Sequence, residues 1–415
     1  MRLVDSSALT RGGVGVGPSA GGAGATHHVL ELAGDEAALS VACVSFHDHG
    51  DEHFVVVGCA TGMTLHPRRA RSCAIHTYRV VAVAAPPPPA DAAASASAAA
   101  AAAAGPRYRL RLVHRTPVDE PPLALAAFQG RLLAGVGASL RLFDLGLKRL
   151  LFKCGLRGLP TCVQGLQTSL DRIVVSDAQE SVLFVKYRRA ENSLALVADD
   201  VASRHMSCAL MLDHDTVMGA DKFGSVFVLR LPADVSDDID GAGGGAAAAG
   251  GAGAGALGSG GARALLAAAS GGAGAPNKVA QVASFYVGAC VTSLQKAVLT
   301  AGGTEVVLYA TAAGAVGALV PLAARDEVEL FSKLEAALRA EGSAGGGQLT
   351  ASIVAREHMA FRSAFAPVSH VLDGDLCEAG FAALAPARQR ELAAELDRTV
   401  PELAKALEAV RQRVQ

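Results

Sequence analysis

The 415-residue sequence contains no tryptophan, and aromatic residues make up only 4% of it. It has no Cys-x-x-Cys pair and no run of 18 strongly apolar residues. Charge is balanced, with 37 basic and 39 acidic side chains and a net charge of −2. Each absence excludes a class. Without a basic excess, direct binding to a nucleic-acid backbone is not expected. Without a long apolar run, a membrane span is not expected. The N-terminal stretch MRLVDSSALTRGG has too little apolar sequence for a secretory leader. The eight cysteines, at 43, 59, 73, 154, 162, 208, 290 and 377, lie far apart and mostly inside apolar runs. That pattern predicts buried, reduced thiols in an intracellular protein and no disulfide framework.

Much of the 51% hydrophobic content is alanine in low-complexity tracts. Residues 11–25 are mostly Gly and Ala, 84–106 run from AAPPPP into poly-alanine, and 234–278 open with an acidic stretch and become Gly/Ala-rich. Such composition offers too little side-chain surface to offset the entropy of ordering, so a disordered N-terminus (1–25) and two inserted loops are expected.

With the tracts set aside, a repeat emerges. Five segments share one layout: an apolar strand, a polar turn, a second strand closing on a small residue, a short turn and a third strand. They are VACVSF–HDHGDEH–FVVVG with AIHTYRV, LALAAF–QGR–LLAGVGASLRLFDL, CVQGLQ–TSLD–RIVVSDAQESVLFVKY, CALML–DHD–TVMGADKFGSVFVLRL, and VTSLQKAVL–TAGGTE–VVLYATAAGAVGALVPL. The small residues are Gly58, Gly135, Ser176, Gly219 and Ala310. A period near forty residues with several short strands per unit is the signature of β-propeller blades. Small side chains fit where sheets crowd together. In Val182–Tyr187 the strand is apolar on both faces until its end, as a blade between neighbours requires. Residues 26–322 are therefore read as a partial propeller of about five blades.

After Leu322 the period changes. Val328, Phe331, Leu334 and Leu338 recur as one helix face, with Asp326 placed to cap and Glu329 to complete a capping box. Two more helices are expected at 386–397 and 399–413. The latter starts at Thr399, with Pro401 and Glu402 behind it and Leu403, Leu407 and Val410 as its buried stripe. The fold class is mainly β: an incomplete propeller followed by a small helical domain over 323–415.

The stretch FHDHGDEHF (46–54) holds three histidines and three acids, the composition of a metal site. Its position, however, is that of QGR, TSLD, DHD and TAGGTE in the other repeats. It is read as a hairpin turn, since a solvated turn rarely fixes three ligands in one geometry. His66–Arg71 is read as a basic loop between strands; a nuclear-import or RNA patch is the alternative. In Asp373-Gly374-Asp375, paired carboxylates for acid–base chemistry are weighed against a turn at Gly374 with Asp375 capping the next helix, and the second is preferred. No Ser/His/Asp set, phosphate loop or HExxH motif occurs, and the GxG strings do not follow a strand and open a helix. No cofactor and no catalytic residue is expected.

Several stretches resemble the C-terminal part of the splicing factor 3b subunit 3 family: HVLELAGDEAALSVA (28–42), FQGRLLAGVGASLRLFDLG (128–146), RIVVSDAQESVLFVKYRRAEN (172–192), LDHDTVMGADKFGSVFVLRLP (212–232), REHMAFRS (356–363), DGDLCE (373–378) and ELDRTVPELAKALE (395–408). The large subunits of cleavage and polyadenylation specificity factor and of damaged-DNA-binding protein share its architecture of three propellers and a helical domain. This chain would supply most of the third propeller and that domain. It lacks the family's N-terminal portion, which suggests a truncated reading frame or a partial paralogue.

The resemblance implies a nuclear, non-enzymatic scaffold of the splicing factor 3b complex in the U2 particle, supporting branch-site recognition. Implied partners are the large HEAT-repeat subunit, a PHD-finger-like zinc protein and the small fifth subunit, with RNA reached only through the complex and no membrane. Segments 201–222, which include Asp221 and Lys222, and 290–313 would face partners; read without the resemblance, Asp221 fixes a turn and Lys222 is solvated. His66, Thr161 and Ser369 align with contacts to the small subunit, although the family carries amide or basic side chains there. The alternative is an adaptor of a cullin-4 ubiquitin ligase, as in the damaged-DNA-binding relative. A propeller enzyme built on Asp373 or Asp375 is the third reading.

Overall fold

The computed structural model describes residues 2–4, 26–50, 52–65, 67–83, 107–241, 274–299, 302–344 and 368–414. It is mainly β, with short antiparallel sheets corresponding to the sequence repeats and helices toward the C-terminus. These are the parts of an incomplete propeller. The chain forms two compact units, residues 1–168 with 187–195, and residues 169–186 with 196–415.

In the first unit, β1 (Glu36–Val44), β2 (Phe54–Thr61), β3 (Ser72–Val83) and β4 (Arg107–Val118) make one four-stranded sheet in that order. A second follows from β5 (Pro122–Phe128), β6 (Arg131–Val136), β7 (Ser139–Asp144) and β8 (Leu151–Arg157). One apolar cluster joins these sheets: Val44, Phe46, Phe54, Val56 and Ile75 of the first pack with Leu132, Ala134, Val136 and Phe143 of the second. The third repeat supplies β9 (Val163–Ser169), β10 (Arg172–Asp177), β11 (Val182–Arg188) and β12 (Ser193–Asp199), divided between the units. In β11, Val182 to Val185 are all buried, so the strand is apolar on both faces as its sequence requires.

The second unit continues with β13 (Met206–Met211), β14 (Thr216–Asp221), β15 (Ser225–Arg230), β16 (Asn277–Lys278) and β17 (Ala280–Tyr286); β13, β14, β15 and β17 form the fourth sheet. The fifth has three strands, β18 (Val291–Ala297), β19 (Val306–Thr311) and β20 (Val316–Leu319).

The small residues of the second strands have a packing cause. A Cβ on Gly58 would meet Ser40 Oγ and the carbonyl oxygen of Pro122, the first residue of the next sheet. A Cβ on Gly135 would overlap Val163, the first residue of the strand after that. At Gly219 the obstacle is the Phe227 ring at 2.5 Å and Met206 Cε at 2.9 Å. At the first two positions the following strand sits where a side chain would be.

Two segments expected to be unstructured carry regular structure. Arg2–Val4 pairs as a strand with Thr26–Val29. Within the acidic start of the 234–278 tract, α1 (Ala233–Gly241) forms; the remainder up to residue 273 lies outside the described residues. Tertiary contacts anchor α1. Val235 packs on the apolar cluster of the third and fourth repeats. Ser236 Oγ donates to Asp215 at 2.9 Å and accepts from the buried Arg172 guanidinium at 3.0 Å. Arg172 also pairs with Asp215 at 3.1 Å. Composition alone cannot report such a network.

The helices are α2 (Arg325–Ala344), a π-helical turn at Leu376–Gly380 running into α3 (Phe381–Ala383), α4 (Pro386–Glu395) and α5 (Val400–Arg411). Phe331, Leu334 and Leu338 of α2 pack with Leu376, Phe381, Leu392 and Leu403. Three expectations change here. The first is the start of α2: it begins at Arg325, so Asp326 lies inside its first turn, and Glu329 pairs with Lys333 at 2.7 Å. The second is Val328, which is exposed, because the stripe engages the core only from Phe331 onward. The third is Asp375: Asp373, not Asp375, caps the helical segment, accepting from the Leu376 amide at 3.1 Å. At α5 the capping box forms as read, with Glu402 accepting from the Thr399 amide at 2.8 Å.

Gly135→Val should destabilise the chain by about 1–3 kcal/mol, because the added methyls overpack against Val163; a denaturant melt moving less than about 0.5 kcal/mol would contradict that packing account. Asp215→Ala should cost on the order of 2–3 kcal/mol, slightly under the figure for a fully buried pair because Asp215 is about a third exposed. The same variant should increase protease cleavage within 233–241, since α1 loses its anchor.

Candidate functional site

The histidine-rich stretch is a hairpin turn joining β1 to β2, with Val44 opposite Phe54. Its histidines are engaged separately. The His47 amide donates to the Gly130 carbonyl at 3.1 Å, and its ring covers Gly130. His49 stands edge-on to Phe54 at 5.6 Å, and His53 Nδ1 lies 2.9 Å from Ser45 Oγ. The basic loop folds as a two-residue hairpin, Thr64–Leu65 against Arg68–Arg69. Arg68 reaches Cys162 Sγ at 2.6 Å, and Arg71 faces Asp35 at 3.6 Å.

Of the expected partner-contact residues, His66 lies outside the described residues. Thr161 is exposed on the loop before β9, whose Leu159 amide bonds to Ala138 and Val163 amide to Gly137. Ser369 forms an antiparallel bridge with Ser284, each amide donating to the other's carbonyl at 2.9 Å, so it extends the outer edge of the fourth sheet. Asp221 is buried and accepts from the Phe223 and Ser225 amides, both at 2.9 Å. It fixes the β14–β15 turn. Lys222 on that turn projects outward, with its ammonium 5.0 Å from the Phe223 ring centre. Asp221 and Lys222 therefore have different roles: Asp221 holds the backbone that displays Lys222.

Segments 201–222 and 290–313 come together within the second unit. The Lys222 amide bonds to the His205 carbonyl at 2.9 Å, and the His205 ring stands edge-on to Phe223 at 5.6 Å. The Val287 amide bonds to the Gly224 carbonyl at 2.8 Å, which sets the 288–290 loop against the same turn. The Ala312 amide bonds to the Cys290 carbonyl at 2.8 Å, adding the β19–β20 turn. Val201 is 76% exposed and Phe223 46%. The turn thus displays an aromatic and a cationic side chain on a backbone fixed by hydrogen bonds, and Val201, four residues before His205, is exposed as well.

No pair among the cysteines is joined. Cys59, Cys73, Cys162 and Cys377 are buried as expected, but Cys43 is exposed and Cys154, Cys208 and Cys290 are half-buried. Cys43 lies on an outward position of β1, one residue before the buried Val44. Burial pushes the Cys59 and Cys208 thiols up to about 11 and that of Cys377 to about 12. Thiols held protonated in this way are poor nucleophiles. Among the described residues, one group of metal-binding type exists that sequence reasoning missed: Glu36, Cys59 and His76, on three neighbouring strands. They are 23 and 17 residues apart in sequence, and only the strand register brings them together.

The CPSF A subunit region matches residues 21–381 of the chain. The chain is 39% identical to "Probable splicing factor 3B subunit 3" of Dictyostelium discoideum, over 93% of its own length and 27% of that protein's. It is 39% identical to "Splicing factor 3B subunit 3" of Danio rerio, over 94% and 28%. It is 41% identical to "Spliceosome-associated protein 130 A" of Arabidopsis thaliana, over 93% and 28%. The chain thus spans little more than a quarter of the length of these relatives. With most of its residues matched and its repeats folded as blades, the chain belongs to the CPSF A subunit region family.

Proposed function

We propose that this chain acts in pre-mRNA splicing, as part of the scaffold of the splicing factor 3b complex in the nucleus. The observation that carries the reading is the 39% identity, sustained over more than nine-tenths of the chain, to relatives named as splicing factor 3B subunit 3. In this reading the protein catalyses no reaction. It supplies a rigid surface for the large HEAT-repeat subunit, the PHD-finger-like zinc protein and the small fifth subunit. The complex in turn supports branch-site recognition by the U2 particle, and this chain reaches RNA only through it.

The rim formed by Val201, His205, Lys222 and Phe223 is the proposed contact surface. Aromatic side chains displayed on fixed backbone lose little entropy on binding, and they are enriched where interfaces draw their energy. Lys222 adds a cation suited to an acidic partner segment. Thr161 and Ser369 are secondary candidates, since each is a small polar residue on backbone tied down by hydrogen bonds to a neighbouring turn or strand.

Tagged chain expressed in a host with a splicing factor 3b complex should co-purify its subunits from nuclear extract. The double variant Lys222→Glu, Phe223→Ala should reduce that recovery at least about tenfold, as expected when an anchor contributing more than about 1.4 kcal/mol is removed. Its melting temperature should stay close to that of the unmodified chain. Recovery of cullin-4 in place of splicing subunits would select the ubiquitin-ligase adaptor instead.

A further inference from the structure

The first sheet contains a polar cluster that neither the blade framework nor the proposed scaffold role uses. In the register of β1, β2 and β3, Glu36 lies opposite Thr61, Ala38 opposite Cys59, Cys59 opposite Ala74, and Val57 opposite His76. Because side chains alternate faces along a strand, Glu36, Cys59 and His76 project from one face of the sheet. Cys59 and His76 are fully buried, and the Glu36 side chain is 11% exposed. One ligand atom from each of the three lies within 4.8 Å of the others.

The geometry around His76 is informative. Its Nδ1 lies 3.3 Å from the Tyr78 hydroxyl and 3.7 Å from Cys59 Sγ. Its Nε2 lies 3.1 Å from Glu36 Oε1, within ion-pair range, without forming a hydrogen bond. A buried ring nitrogen left without a hydrogen bond is unfavourable. The same placement is what two ligands of one metal ion require. With metal–nitrogen and metal–oxygen bonds near 2.0–2.1 Å, adjacent ligands of a tetrahedral ion stand about 3.3 Å apart and off each other's bond axis. The Tyr78 hydroxyl at Nδ1 is the kind of outer partner that holds a ligating imidazole in one tautomer and orientation.

We propose that Glu36, Cys59 and His76 form a binding site for a zinc-type divalent cation, with His76 ligating through Nε2. The donor set of thiolate, imidazole and carboxylate suits zinc. A carboxylate and a thiolate together neutralise the charge of the ion, which a buried site needs. Closing the shell requires the Cys59 sulfur, now 3.7 Å from Nδ1, to approach to about 3.5 Å from Nε2 and the Glu36 carboxylate. On binding, the Cys59 S–H bond breaks, a sulfur–metal bond forms and the proton leaves to water; nothing is oxidised or reduced. Burial and the Glu36 charge favour the protonated thiol, while Arg115 opposes them. A fourth position remains for water. The ion would cross-link three adjacent strands of the first sheet.

The test uses the full chain, stripped with a chelator and titrated with cobalt(II). The expected result is one equivalent bound, with thiolate-to-cobalt charge-transfer absorption and the intense visible bands of tetrahedral cobalt, all displaced by zinc. Cys59→Ser should remove the charge-transfer band, and Glu36→Gln should weaken binding at least about tenfold. The double variant His49→Ala, His53→Ala, in the histidine-rich turn, should bind as the unmodified chain does. Absence of the charge-transfer band, its survival in Cys59→Ser, or its loss in the turn variant would each overturn the assignment. Zinc-edge X-ray absorption on the unmodified chain gives a readout that does not depend on any variant folding. One sulfur in the first shell supports the site, and none or several rejects it.

Discussion

The position that most constrains this fold lies late in the second strand of the first two repeats, at Gly58 and Gly135, where no room exists for a side chain. At Gly58 and Gly135 that space is taken by the residue that opens the next sheet or the strand after it, Pro122 and Val163. Ser40 reinforces the first of these approaches by donating to the Pro122 carbonyl at 2.6 Å. Interior packing is close to that of a crystal, so a contact of this kind fixes the spacing between neighbouring strands to within a methyl group. Small residues at this site permit the repeats to nest, and the large apolar residues elsewhere on the same strands, such as Val56 and Leu132, then find partners across the gap.

A second device recurs beside the first. In the third, fourth and fifth repeats the turn after the second strand holds itself with a side chain rather than with glycine alone. Asp177 accepts from the Gln179 and Glu180 amides, Asp221 from those of Phe223 and Ser225, and Thr311 from that of Ala315. These are local side-chain-to-backbone bonds of the kind that compete successfully with water in turns. Because the polar groups nearest the rim are committed to the backbone, the residues between them are left to face outward. Lys222 and Phe223 are displayed on that account. A surface built this way is stiff, which lowers the entropic cost of meeting a partner.

The repeats were legible in the sequence because each carries its own signals: an apolar run, turn residues and a small residue at a fixed place. The capping box at Thr399 and Glu402 was legible for the same reason, being entirely local. What the sequence concealed was non-local. Helix α1 forms in an acidic stretch because Asp215 and Arg172, 21 and 64 residues away from Ser236, hold it. Val328 fits the helical period but lies one turn before the core begins. Asp373 and Asp375 are equivalent by composition, and only the point at which the helical segment starts decides which one caps it. The Glu36–Cys59–His76 group depends on the alignment of three strands, and nothing in the residues themselves marks it. The histidine-rich turn, which advertises metal binding in sequence, has its rings dispersed onto Gly130, Phe54 and Ser45.

The same contrast separates the two kinds of polar residue in this chain. Where a buried polar group lies among several partners, as Arg172 does between Asp215 and Ser236, it reads as architecture: removing a partner weakens the fold. Asp373 belongs with these, since its carboxylate is committed to the Leu376 amide, and this is why a carboxylate pair suggestive of acid–base chemistry in sequence carries none of that geometry here. His76 is different. Its Nε2 is buried and 3.1 Å from a carboxylate without a hydrogen bond, and it shares its site with the buried Cys59 thiol. A buried nitrogen without a hydrogen bond, beside a carboxylate and a buried thiol, is a position at which an additional ligand has a physical reason to bind.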